Sequence, residues 1–177
     1  MEVKLPRDYY RKYDFLCFKL ASQFVDYPAV KDKKFIQWVQ DNRVARIEQG
    51  TEKYGAITRY SEPYMFGIAL RKCKQKLQQF DNTAVTGLDD NCLDLLFDSL
   101  NYIMIEYLTR LYTYKPLDEI DVLSIFYTVT ISETETVYDA AMEMLDVYYE
   151  FYEYGYLMLT SLVIYAELYK VWKGNGC

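Results

Sequence analysis

The chain contains no histidine. That excludes Ser-His-Asp and Cys-His catalysis and every histidine-bearing metal site. Acid–base or metal chemistry must then come from carboxylates, lysine, tyrosine or cysteine. Glycine (7 residues) and proline (4) are scarce across 177 residues. Few breakers between long periodic stretches favour helices over a many-turned β fold. The four cysteines, Cys17, Cys73, Cys92 and Cys177, are too dispersed for a Cys-x-x-Cys motif. They read as free thiols, and a cytoplasmic location is expected. The start, "MEVKLPRDYYRKYDF", lacks the apolar core of a signal peptide. No stretch reaches the roughly 18 apolar residues of a membrane span. The most apolar one, Tyr154 to Ala166, reads as a buried helix, with a tail anchor as the minor alternative, and no membrane association is expected.

Half of the chain is hydrophobic (51%) and 26% is charged, a globular composition for one domain. The net charge of −6 argues against nucleic-acid binding, which rests on Lys and Arg. Tyrosine is abundant, at 20 residues. Its apolar ring and wet hydroxyl suit half-buried helix faces and interfaces, so a homo-oligomer is expected.

Helical periodicity runs through most of the chain. A first helix is expected over Arg7 to Asp26, with Tyr13 and Cys17 inward. A second carries Phe35, Ile36, Val39, Val44 and Ile47, with Gly50 as its stop and Asp41-Asn42 as a candidate break. "TEKYGAITRYSEP" reads as a loop, closed by Ser61 as N-cap and Pro63 in the first turn. The third helix buries Phe66, Ala69, Leu70, Cys73 and Leu77, and "FDNTAVTGLDDN" follows as a loop. The fourth, Asp89 to Tyr114, buries Leu93, Leu96, Leu100, Ile103, Tyr107 and Leu111. "SIFYTVTIS" fits a helix or a strand. "SETE" at Ser132 to Glu135 has capping-box form and opens a long helix that kinks near Gly155. The expectation is one all-α domain over 1–177, a bundle of about six helices.

Three features carry candidate chemistry. Asp90, Asp94, Asp98 and Asn101 form a ladder at helical spacing. Asp94 and Asp98 have the hard oxygens that magnesium prefers, while a solvated acidic face is the plainer alternative. "RKCKQK" places Arg71 with Lys74, and Lys72 with Lys76, on shared faces of the preceding helix. Such cations neutralise phosphates or simply meet the acidic row. "EQGTEKYG" adds Glu48, Glu52, Tyr54 and Gly55 near a helix end.

Taken together, "EKYG", the basic helix and the Asp94/Asp98/Asn101/Tyr102 pattern resemble the MazG-like all-α nucleotide pyrophosphatase superfamily. The likeness is greatest to its nucleotide-modification-associated group, often carried by phages, and covers about residues 48–111. Residues 116–177 carry no such match. The resemblance implies magnesium-dependent hydrolysis of a nucleoside triphosphate. Asp94 and Asp98 would hold the metal, and Glu48 or Glu52 would activate water. Arg71, Lys74 and Lys76 would neutralise phosphates, with Asn101 and Tyr54 orienting the nucleotide. The family's first acidic pair, Glu-x-x-Glu, has no counterpart here, since Glu48 and Glu52 stand four apart. A different class of function stands beside this one: an acidic helical protein of viral or phage type that blocks a host protein by binding it.

Overall fold

A computed structural model describes residues 11–15, 17–18, 31–55, 60, 62–65, 67–86, 92–111, 136–151 and 154–174. Among the described residues the fold is all-α, with no strand. Helix α1 is seen as residues 11–15 and 17–18. Then follow α2 (Lys33–Tyr54), a 3₁₀ turn (Pro63–Met65), α3 (Ile68–Thr86) and α4 (Cys92–Glu106). A π-helical turn (Tyr107–Leu111) continues α4, and α5 (Val137–Phe151) and α6 (Tyr154–Trp172) complete the bundle.

Helix α2 is longer than its sequence suggests. Asp32 caps it, its carboxylate accepting from the Phe35 amide at 3.0 Å. Asp41 and Asn42 do not break it. Asp41 accepts from Gln37 one turn back, and Asn42 donates to the Trp38 carbonyl at 2.9 Å. Nor does Gly50 end it: the helix runs on through Thr51 to Tyr54, and Gly55 closes it. At φ +93°, Gly55 adopts a backbone conformation that side chains disfavour, and its amide returns to the Thr51 carbonyl at 2.9 Å. Much of the expected loop after Gly50 is therefore the last turn of α2.

Helix α3 also outruns its expected end, since "FDNTAVT" is helical to Thr86. Helix α5 starts beyond the expected capping box. Thr136 accepts from the Asp139 amide at 3.1 Å and caps the helix, while Ser132 to Glu135 lie outside the described residues. The long helix expected to kink at Gly155 is two helices that fold back on each other, and Gly155 lies in the first turn of the second. The ends of the first helix, Ser61, Phe66, Asp89, Asp90 and the segment "SIFYTVTIS" lie outside the described residues.

Helix α4 is the hub. It packs on α2, α3 and α6, while α5 lies on α3 and α6. Eleven of its 15 residues are buried. The core stripes read from periodicity are largely the observed ones: Phe35, Val39, Leu70, Cys73, Leu77, Leu96, Leu100 and Ile103 are fully enclosed. Each such aliphatic or aromatic side chain contributes about 1.5–3 kcal/mol. The apolar stretch in α6 is likewise core, through Leu157, Met158, Ile164 and Leu168. No helix among the described residues is long and apolar enough to cross a membrane.

Cys17 and Cys73 are free and buried. Cys92 is disulfide-bonded, which corrects the expectation of four free thiols.

Candidate functional site

The four α4 residues that are not buried are Leu93, Asp94, Asp98 and Tyr102. Asp94, Asp98 and Tyr102 follow each other at intervals of four, so they form one row along the open side of the helix. Helices α2 and α3 flank that row and leave a cleft of about 220 Å³. Helix α2 contributes Arg46, Ile47, Gly50, Thr51 and Tyr54, and α3 contributes Lys76. Asp98, Asn101, Tyr102 and Ile105 come from α4, and Tyr60 closes one side.

What faces the acidic row is basic. Arg46 donates to Asp94 through Nη2 at 2.6 Å and through Nε at 3.1 Å. A second amino group bonds the Asn42 side chain at 2.8 Å, and the guanidinium lies 4.7 Å from the Phe97 ring centre. These contacts fix Arg46 at the cleft wall. From the opposite side, Lys76 reaches Asp98 at 3.5 Å. Burial raises the Asp98 carboxyl above its ordinary value, against the pull of Lys76 and Arg46 and with a small push from Asp94.

Of Arg71, Lys74 and Lys76, grouped with phosphates in the sequence, Lys76 alone lines the cleft. Lys76 enters the cleft, but Arg71 is exposed outside it and Lys74 lies over the Tyr149 ring of α5, 4.7 Å from its centre. Lys72, one turn before Lys76, sits between the rings of Tyr60 and Tyr102 at 5.8 and 5.7 Å. Those two rings meet edge-on, 6.4 Å apart. Tyr54 borders the cleft and is 63% exposed. The cleft thus joins cations to tyrosine faces.

Gly50 lies on the cleft wall. It sits inside α2, where glycine costs about 0.5–1 kcal/mol relative to alanine. A Cβ there would meet nothing within 4 Å. Neither close packing nor a positive φ requires glycine at this position.

Asn101 borders the cleft but its amide is committed to the core. Its oxygen accepts from Arg43 Nε at 3.0 Å and its nitrogen donates to the Arg43 carbonyl at 3.3 Å. These bonds hold the Arg43 side chain and fix the Asn101 amide in place. Glu48 and Glu52 are exposed on α2, and neither lines the cleft. Among the described residues, no three acidic or thiol side chains gather as a metal cage. With Arg46 beside Asp94 and Lys76 beside Asp98, positive groups stand where a resident cation would bind. The pair of carboxylates does not fit a dedicated magnesium site in this arrangement.

Beneath the cleft lies a polar centre that sequence periodicity does not reveal. Arg43 is 1% exposed. It pairs with Asp14 of α1, donates to Tyr165 of α6 at 2.8 Å, and reaches the Leu100 carbonyl at 3.3 Å. Tyr165 in turn donates to Asp14. Nearby, Tyr13 and Ser161 share a hydrogen bond of 2.6 Å. Burial works against the charge on Arg43, yet Asp14 and the surrounding phenols outweigh it and raise the guanidinium further above its ordinary value. This centre ties α1, α2, α4 and α6 together. It is enclosed, so its role is to hold the helices that shape the cleft.

Comparisons of the chain with protein-family models, with curated proteins and with solved structures find no match.

Proposed function

We propose that the chain is a nucleotide-binding helical protein whose cleft receives the ligand between α2, α3 and α4. The observation that carries this reading is the cleft wall itself, where Arg46 and Lys76 stand beside the rings of Tyr54 and Tyr102. Cations suit phosphates, and tyrosine faces suit a planar base. The sequence resemblance to nucleotide pyrophosphatases points the same way.

Binding is favoured over turnover. Hydrolysis needs a base within reach of an attacking water. Glu48 and Glu52 lie outside the cleft lining, and Asp98 is engaged with Lys76. On this reading magnesium arrives with the phosphates, which supply most of its ligands as they do in many phosphate sites.

A thermal-shift screen of nucleotides, each with and without magnesium, tests the proposal. A ligand present at about 100 times its dissociation constant adds about 2.7 kcal/mol of stability. The expected result is stabilisation of the wild type and none of a Gly50→Leu variant, whose added side chain fills the cleft. If no nucleotide stabilises the wild type, the cleft reading fails and the acidic host-binding protein becomes the stronger reading.

A further inference from the structure

We infer that Asp98 is the specificity-determining residue of the cleft: its carboxylate occupies the seat on Lys76 that an anionic ligand would take. The inference rests on the anion-binding reading above and adds to it a rule for which anions enter.

The two cations of the cleft differ in how they are countered. Arg46 is paired with Asp94, whose side chain is 62% exposed and stands outside the cleft lining. That pairing leaves the carboxylate at the rim, in water, where it is screened. Lys76 is paired with Asp98, and both side chains are only 34% exposed. Asp98 is itself part of the cleft wall. A phosphate approaching Lys76 therefore meets a carboxylate at short range and in a partly desolvated place, where like charges repel more than they do in water.

Charged groups face Asp98 from three helices: Lys76 from α3, Arg46 from α2 and Asp94 from its own helix. Two are positive and one negative, so the local field favours the ionised form. Burial acts against it and prevails. A ligand that brings a cation to this carboxylate binds more easily than a bare anion of the same shape. The cleft then selects against small free anions and favours ligands that also use the tyrosine faces.

Calorimetric titration of the full chain with pyrophosphate tests this. Wild type, Asp98→Asn and Asp98→Asn/Lys76→Gln are compared at pH 7.5. The asparagine substitution keeps the shape of the side chain without its charge, and Asp98→Ser serves if that variant fails to fold. The expected result is roughly tenfold tighter binding by the single variant at pH 7.5, the scale of one short charge–charge repulsion at a protein surface. The added Lys76→Gln change abolishes the gain. Equal or weaker binding by Asp98→Asn, with wild type still binding, overturns the inference and leaves the cleft reading intact. No binding by any of the three proteins overturns both.

Discussion

Arg43 and Asp14, 29 residues apart, form an ion pair in the interior of the bundle, each side chain 1% exposed. The pair is completed by Tyr165, Asn101 and the Leu100 carbonyl, so the planar guanidinium has partners on several sides. A fork of fixed geometry explains why the position holds arginine. Removing one partner leaves an uncompensated charge in the core. Arg43→Met is expected to cost about 3–5 kcal/mol, and Arg43→Lys much of that, since an ammonium cannot reach the same set of acceptors. Replacing both, as Arg43→Met/Asp14→Leu, is expected to recover most of the loss. Urea denaturation of the three variants measures it. A double variant no more stable than Arg43→Met would show that the centre is not organised around this pair.

Asp32 gives the fold a dependence on acid. Its carboxylate accepts from the Phe35 amide, and that bond, more than Lys173 nearby, lowers its value below the ordinary aspartate one. A lowered folded value stabilises the fold above the unfolded value and loses that contribution as pH falls through the folded one. Asp32→Ala is therefore expected to melt lower than wild type at pH 6. The gap should shrink steadily below about pH 3.9, where the unfolded aspartate protonates. A gap that stays constant to about pH 2.5, below the ordinary aspartate range, would place its origin elsewhere than in the charged cap.

The bundle was largely legible in the spacing of apolar residues, because each stripe needs only its own helix to be read. Phe35, Val39 and Ile47, or Leu96, Leu100 and Ile103, are buried where periodicity puts them. The Arg43 centre was not legible. A charged residue between Val39 and Ile47 reads as solvent-facing unless its counter-ion is known, and Asp14 lies on another helix. The cleft was legible in part. Asp98 and Lys76 do converge, but spacing could not tell which face of α3 turns toward α4. Nor could it show that Arg46 is the residue opposite Asp94, because that depends on how α2 crosses α4.

The thiols separate into two classes by burial and bonding. Burial pushes both Cys17 and Cys73 up to about 12, so neither is a thiolate at neutral pH. The native protein is expected to react with a thiol reagent at about pH 8, near the ordinary cysteine value, only on the timescale of global unfolding. In denaturant without reductant Cys17 and Cys73 should titrate and Cys92 should not, and in denaturant after reduction Cys92 should titrate as well. Four thiols before reduction would show that Cys92 is not disulfide-bonded in the protein as isolated.

Gly50 should separate stability from function in a single position. The backbone there is helical and a Cβ has open space, so nothing in the fold opposes a larger residue. Gly50→Ala is expected to stabilise the protein by about 0.5–1 kcal/mol, because alanine loses less backbone entropy on entering a helix. A methyl group narrows the cleft only slightly, so ligand binding should weaken modestly. Gly50→Leu keeps most of the helical gain and fills the space between Arg46, Tyr54 and Lys76, so it should bind no ligand while melting no lower than wild type. Denaturant unfolding and the nucleotide thermal-shift assay, run on the same three proteins, read the two effects separately. If Gly50→Leu unfolds earlier than wild type, the space beside Gly50 is less open than its surroundings indicate. If it melts normally and still binds, the ligand sits elsewhere, and the cost of a glycine in the middle of α2 has another cause.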